Sequence, residues 1–291
     1  MQKTPSVYVI LVTFNGVQWL EKCLSAIVQS SVPLKVIAID NGSTDGTVAV
    51  LNQFSFAETV ALNENLGFGK ANNLGIKKAL QKGADYVFLI NQDVYIYPTT
   101  VEELLNQAQS KYGILSPVHF SNDGKTLDKN FSRYWNSSMS SALVHSVAFV
   151  NAAAWFIAAD VITKVGFFEP LFSHYGEDRN YTDRIHANGL EIGVVSNAKI
   201  IHDRAFTPNF NKVKTQSKFI LLAAVLNINF SLAFGYLKAL RFVFGLPKYY
   251  FKTYGFLNSA VLFLFLFKYY IVLLFGAPLF LSKRKSYKNE K

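Results

Sequence analysis

The first ninety or so residues alternate between short apolar runs and segments whose apolar residues recur every three or four positions. Residues 8–13, 35–40, 59–62 and 86–91 are apolar runs bounded by turn residues, the pattern of buried strands. Residues 19–29, 47–54 and 70–81 carry helical spacing. This order predicts an α/β fold built on a mostly parallel, Rossmann-like sheet with helices on both faces. Ligands of such sheets gather at the carboxyl ends of the strands. Thr13, Asn15, Asp40, Asn63, Asn91 and Asp93 all lie at or just beyond those ends.

From about Ile114 the pattern loosens. Residues 114–118 and 143–150 read as strand-like pieces. The polar stretch 122–141, with Phe131, Tyr134 and Trp135, reads as a mobile lid, part of an acceptor site, or a surface excursion. Residues 179–188 read as a helix with the adjacent acids Glu177 and Asp178 at its start, where the helix dipole favours them.

Beyond Lys218 the character changes. Residues 219–244 are apolar but interrupted by Asn227, Asn229, Lys238 and Arg241, as in an amphipathic helix lying at an interface. Residues 256–281 are apolar except for Asn258, Ser259 and Lys268, and are long enough to cross a bilayer. Lys268 near the middle opposes a clean span. Two spans, two in-plane helices, a re-entrant hairpin and a buried helical pair all remain open. The expected division is a catalytic body over residues 1–217 and a membrane-associated helical region with a basic tail over 218–291.

Composition sharpens that division. Apolar residues make up 51% of the chain, aromatic residues 15%, and the mean hydropathy is +0.19, rich enough that some surface should meet lipid. Up to Asp203 there are 15 Lys and Arg against 18 Asp and Glu; from Arg204 onward there are 14 against the single acid Glu290. A near-neutral body with a basic, apolar tail suits an anionic membrane surface. No nucleic acid is expected as a partner, because the tail cations are interleaved with Phe, Leu and Val runs and no nucleic-acid-binding signature is present. The cluster Lys283-Arg284-Lys285 suits cytoplasmic headgroups. One cysteine, Cys23, excludes an internal disulfide framework and fits a reducing compartment and core packing. The first apolar run is too short for a secretory signal, so the body is expected in the cytoplasm.

The polar residues suggest a chemistry. A strand-end acid such as Asp93 can hold a divalent cation against a diphosphate, and an acid on a separate element such as Asp178 can take a proton from a hydroxyl nucleophile. Asp40, in IAIDNGSTDGT, can accept a hydrogen bond from the imide N–H of a uracil or thymine ring, or simply close its turn. Gly67 and Gly69, in NENLGFGKANNLGI, precede a helix whose N-terminus favours anions. Trp155 can stack on a sugar or pack in the core.

Together VILVTFNG, IAIDNGSTDGT, NENLGFGKANNLGI, FLINQDV, residues 151–170 and HYGEDRNYTDRIHANGLEIGVV resemble the inverting glycosyltransferases of family two, with the GT-A fold, on the bacterial rhamnosyltransferase-like branch. The resemblance runs from about Val7 to His202. It implies a nucleoside-diphosphate sugar donor, with dTDP-rhamnose favoured over UDP-hexose or UDP-galactofuranose. It implies Asp178 as general base with Glu177 beside it. It implies Thr13, Asn15, Asp40, Gly67, Lys70, Asn73, Asn91 and Gln92 on the donor side. Asp93 and His202 would hold Mg2+ or Mn2+, although Asn91 replaces the first acid of the family's Asp-x-Asp motif. The acceptor would be a glycan or a lipid-linked sugar at the cytoplasmic face of a bacterial inner membrane. Transfer to a polyprenyl phosphate, or a non-catalytic nucleotide- or glycan-binding membrane scaffold, are the alternatives. The oligomeric state is left open.

Overall fold

In a computed structural model that describes residues 4–136, 142–204 and 209–289, four parallel strands form one half of a sheet: β1 (Val7–Thr13), β2 (Leu34–Asp40), β3 (Ala57–Ala61) and β4 (Tyr86–Asn91). They lie in the order β3-β2-β1-β4. The helices α1 (Val17–Val28), α2 (Thr47–Leu51) and α3 (Phe68–Gln81) connect them. β1, β4 and most of β2 are apolar because both of their faces are covered, while the edge strand β3 is only partly buried. Ile10, Ile37 and Leu89 pack with α3 on one side, while Val9, Leu11 and Phe88 pack with α1 on the other. Cys23 is fully buried in the second layer, where burial pushes its thiol pKa up.

The sheet continues through β5 (Val94–Ile96), β6 (Tyr112–Phe120), β7 (Val144–Val147), β8 (Ala154–Ala158) and β9 (Glu191–His202). Here the pairing turns mixed. β8 runs antiparallel to β4 and β6, β9 parallel to β6, and β5 and β7 antiparallel to β9. The parallel expectation therefore holds for the first half of the sheet and gives way in the second. α4 (Thr100–Asn106), α5 (Ala159–Val165) and α6 (Glu177–Ala187) flank this second half.

Register places the strand-end residues. Thr13 pairs with Asp40 and Val12 with Asn91, so three strands deliver polar side chains to one edge. Val94 pairs with His202, which brings β9's last residue beside Asp93. The polar stretch after β6 is pinned over its described part. Phe131 and Trp135 are buried in the core, and Asp128 accepts two hydrogen bonds from the Arg204 guanidinium. Residues 137–141 of the expected lid lie outside the described residues. Trp155 is fully buried and stacked on Phe168 with ring centroids 6.0 Å apart, which settles its role as core packing.

The C-terminal region departs most from expectation. α7 (Phe210–Leu226) runs straight through the boundary expected at 217/218. The stretch 219–244 is not one interfacial helix: the chain leaves helical geometry at Asn227, and Ser231 starts α8 (Leu232–Phe275) by accepting a hydrogen bond from the Phe234 N–H. Residues 219 and 221–226 are buried. α8 is long and apolar enough to cross a membrane by length and composition, yet Gly255 sits in it at φ 77° and ψ 179°. The chain reverses there. The Tyr236 hydroxyl donates to the Leu273 carbonyl at 2.8 Å, and the Phe244 and Phe263 rings lie 5.4 Å apart. α8 is thus a helical hairpin with arms of roughly 20 residues, ~30 Å each at 1.5 Å per residue.

α9 (Ala277–Asn289) returns to the body. The Arg284 guanidinium, expected among headgroups, is 7% exposed and donates to the Val225 and Asn227 carbonyls at the end of α7 and to the Phe230 carbonyl in the loop that follows. Lys283 pairs with Glu169 at 3.3 Å, and the Tyr287 hydroxyl donates to the same carboxylate at 2.7 Å. Two of the three expected headgroup cations are therefore engaged with the protein.

Candidate active site

The acid at the end of β2 is held, not free. Asp40 is buried and accepts hydrogen bonds from the Thr13 hydroxyl at 2.9 Å, the Ser43 N–H at 2.9 Å and the Ser43 hydroxyl. Asn15 sits beside it in the left-handed region at φ 45°, its N–H on Ser43 Oγ and its Oδ1 accepting from the Thr44 N–H. Asn is one of the few residues that tolerates this conformation at modest strain. Asn41 and Asn65 clip the next turn: the Asn41 amide donates to Asn65 Oδ1 at 2.9 Å and accepts from the Leu66 N–H at 2.8 Å. A cavity of about 240 Å3 opens above these ends, lined by Thr13, Asn41, Asn65, Asn91, Asp93 and His174 among others.

The loop after β3 is fixed by contact with a distant segment. Gly67 has φ 87°, and a Cβ there would lie 1.9 Å from the Ser173 carbonyl oxygen. Only glycine lets these two backbones touch at the start of α3. Lys70 is exposed in the first turn of that helix.

Two of the expected donor residues serve the scaffold. Both ends of the Asn73 amide are bonded to the Phe168 backbone at 2.9 Å, and Asn73 does not line the cavity. Gln92 likewise clamps the Phe14 backbone, accepting from its N–H at 2.8 Å and donating to its carbonyl at 3.1 Å. An amide with both ends satisfied has little left for a ligand. Gln92 lines the cavity, but its amide is engaged.

Asp93 Oδ1 and His202 Nε2 lie 3.5 Å apart. Two ligands at adjacent vertices of a small octahedral cation stand ~3 Å apart, so the pair fits one ion with small adjustment. His202 is 3% exposed, its Nδ1 has no hydrogen-bond partner, and neither has the buried Asn91 Oδ1. Among the described residues no group of three or more His, Cys, Asp or Glu could hold an ion alone. A cation here would have two protein ligands and need the rest from water or a diphosphate.

The second acid site opens on the far side of one loop. Consecutive residues His174 and Tyr175 line different cavities: His174 the 240 Å3 cleft, Tyr175 a second cavity of about 710 Å3. The turn is tightly specified. Tyr175 has φ 72° and Gly176 φ 85°, and a Cβ on Gly176 would meet the Phe172 ring at 3.0 Å. A non-glycine residue at positive φ costs of order 1–3 kcal/mol, and such strain concentrates at functional sites. The turn delivers Glu177 and Asp178 to the N-terminus of α6 at the wall of the larger cavity.

The pair is electrostatically unusual. Burial, and then the neighbouring Asp178 charge, push the Glu177 carboxyl up to about 8. Its Oε2 is buried without a partner, as suits a carboxyl that keeps its proton. Burial also raises Asp178, opposed by the Arg179 N–H, which donates to Asp178 Oδ1 at 2.7 Å, and by the Arg179 charge. Asp178 is half-buried, and the two carboxyls titrate as a pair. Sequence reasoning missed Asn41, Asn65, His174 and Tyr175 as parts of the site. The signal was in the same segments: Asn-x-Asn before Gly67, and His-Tyr-Gly before the acids.

Comparison with known proteins bears on this geometry. Among curated relatives, an uncharacterized glycosyltransferase of Rickettsia prowazekii is 31% identical over 104 residues, 35% of this chain and 32% of that protein. An N-acetylglucosaminyl-diphospho-decaprenol L-rhamnosyltransferase of Mycobacterium tuberculosis is 23% identical over 232 residues, 68% of this chain and 76% of that one. The chain thus spans about a third of the first relative's length and three quarters of the second's. Among solved structures, S. aureus TarS 1-349 in complex with UDP-GlcNAc superposes with TM-score 0.67 at 16% identity, over 98% of this chain and 90% of that one. The mannosyltransferase PcManGT from Pyrobaculum calidifontis in complex with GDP-Man and Mn2+ gives TM-score 0.61 at 16% identity, over 99% and 85%. These likenesses establish the GT-A fold. The remaining match covers residues 8–166, from β1 through α5, and it is decisive: the chain belongs to glycosyl transferase family 2.

Proposed function

We propose that the chain is an inverting glycosyltransferase that moves a sugar, rhamnose in the first instance, from a nucleoside-diphosphate donor to a hydroxyl of a lipid-linked or cell-surface glycan. One observation carries the reading: His174 and Tyr175 face two adjoining cavities, so a donor in one and an acceptor in the other would meet across a single loop. In this reading Thr13, Asn15 and Asp40 hold the nucleoside, and Asn91 lies beside the diphosphate. Asp93 and His202 would hold Mg2+ or Mn2+. A divalent cation bound there offsets the charge that develops on the leaving diphosphate.

Asp178 takes the proton from the acceptor hydroxyl as that oxygen bonds to the anomeric carbon. The bond from that carbon to the diphosphate oxygen breaks, and the electron pair leaves with the nucleoside diphosphate. Attack from the side opposite the leaving group inverts the centre. Glu177, holding its proton, keeps a second negative charge away from the base. Rhamnose is supported by the Mycobacterium relative alone. Use of a cation is supported by the Asp93–His202 pair and by the PcManGT complex. Attachment to a membrane is supported by the exposed apolar surface of α8; the cytoplasmic face is the side on which this reading places the donor.

The test is donor hydrolysis and transfer by full-length protein against dTDP-rhamnose, UDP-galactofuranose, UDP-GlcNAc and GDP-mannose, with Mn2+ or with chelator. The anomeric configuration of the product is read by NMR. Turnover of one donor, lost on chelation and giving inverted product, is expected. Absence of nucleotide binding and of hydrolysis with every donor would overturn the reading.

A further inference from the structure

Between β7 and β8 the chain passes through Asn151, Ala152 and Ala153 in irregular backbone, and this short segment touches both halves of the site. The Ala153 carbonyl accepts from the Asn91 N–H at 3.0 Å, at the end of the strand that leads to Asp93. The Ala152 N–H donates to the Asp178 carboxyl and helps to hold it down against the effect of burial. Neighbouring residues thus grip the cation side and the proposed base. Irregular backbone has no ladder of its own to fix it, so its position depends on what else holds it.

One side-chain contact does so from outside. The Tyr134 hydroxyl donates to Asn151 Oδ1. Tyr134 is itself anchored, its ring edge-on to Phe131 and Phe149 with centroids 5.5 Å and 5.8 Å away. Phe131 is fully buried, and its N–H donates to Asp128, which also holds Arg204, two residues past His202. Phe149 carries the Arg179 guanidinium 3.9 Å from its centroid, next to Asp178. Tyr134 therefore stands where charges from both sides act on it: Arg204 and Asp128 from the end of β9, Asp178 from the start of α6.

We propose that Tyr134 and Asn151 are positioning residues: their hydrogen bond fixes the segment 151–153, and the segment sets where Asp178 lies relative to the strand end at Asn91. The proposal rests on the transferase reading for what is being positioned. A base for inverting transfer has to face the anomeric carbon across from the leaving diphosphate, and a misplacement of ~1 Å can cost on the order of 100-fold in rate. Neither side chain has to touch the substrate. A tyrosine that only filled the core would serve as well without its hydroxyl.

The experiment uses full-length protein and Tyr134→Phe, which removes that hydroxyl alone. Hydrogen exchange is read by mass spectrometry on the unliganded protein. Exchange should quicken in residues 149–153 and in residues 176–180 at the start of α6, while β1, β2 and α8 keep wild-type rates. Asn151→Ala should give the same pattern, and the double variant no more than either single one, since each removes the same interaction. With the donor that wild type hydrolyses, kcat should fall by about tenfold or more while the donor KM stays within about twofold. The acid limb of the kcat profile should move to higher pH, because a carboxylate that loses an N–H donor holds its proton more tightly. The charged groups that line the cavity with Asp178 are Glu177, Arg179 and Asp183 on α6, Arg133 beside Tyr134 and Lys238 on α8, and the variants alter none of them. Quickened exchange at 149–153 alone, a rise spread over the whole chain in both single variants, additive losses in the double variant, or a raised KM with kcat kept would each overturn the proposal. A wild-type protein that binds no nucleotide and hydrolyses no donor would sink the transferase reading instead, and the exchange result would still decide whether the pair holds Asp178.

Discussion

At Glu177 and Asp178 two carboxyls stand side by side at the start of α6, and the proposed mechanism gives them different work. Asp178→Asn should reduce transfer by about 10²–10⁴-fold, the usual loss of a general base, while nucleotide affinity measured by calorimetry stays within about twofold. Glu177 makes a separate prediction about stability. Its carboxyl titrates near 4.5 when exposed and at about 8 in the fold. Between those values the unfolded chain has lost the proton and the native one keeps it, so stability falls as pH rises through that window. Glu177→Gln should therefore raise the melting temperature more at pH 8 than at pH 5, as calorimetric scans at the two pH values would read. Asp93→Ala should abolish the Mn2+ dependence of nucleotide binding; equal dependence in variant and wild type would remove Asp93 from the cation site. Legibility at this scale was uneven. The positions of Asp40, Asp93 and His202 at one edge of the sheet could be read because strand ends deliver side chains there. Asn73 and Gln92 could not, because an amide that clamps a distant backbone looks in sequence like one that reads a ligand. The pairing of Arg284 with α7's last carbonyls was equally hidden, since nothing local tells a headgroup cation from a helix cap.

Among the elements, the strand and helix alternation up to β4 was legible because β1, β2 and β4 are covered on both faces and are apolar over most of their length. The second half of the sheet was less so. β7 and β9 pair residues far apart in sequence, and β9's polar Ser196, Asn197 and Lys199 interrupt its apolar pattern. The helical region hid its geometry for another reason: a reversal at one glycine leaves hydrophobicity unchanged on either side. The resulting packing changes what truncation should do. Removing residues 218–291 cuts α7 in mid-helix and uncovers Phe172, Glu169 and Arg184, which now face α7 and α9. The fragment 1–217 should melt well below the full chain and gain little from added nucleotide, as thermal-shift measurements would show. A subtler break is Tyr287→Phe. It deprives the buried Glu169 carboxylate of a hydrogen bond, a loss of about 1–3 kcal/mol. Faster hydrogen exchange confined to α9 is the expected signature.

Taken whole, the molecule sets its mixed sheet beside an apolar hairpin whose outer surface no described residue covers. Phe256 and Leu257 beside the turn are 76% and 75% exposed, and Lys248 and Lys252 lie close by in sequence and are exposed too. Side chains of this kind gain ~2 kcal/mol each on entering lipid, and nearby cations about 1 kcal/mol each at an anionic surface. Phe256→Glu with Leu257→Glu should reduce flotation with anionic vesicles by more than tenfold while nucleotide affinity is kept. Unchanged flotation would mean that another surface makes the contact. The reversal at Gly255 carries a consequence for biogenesis. The hairpin starts and ends beside the body, so burying its tip would carry neither flanking segment to the far side of the bilayer. A protein so attached could settle into one leaflet after leaving the ribosome, with no translocation channel, and its sidedness would be fixed by the compartment in which it folds.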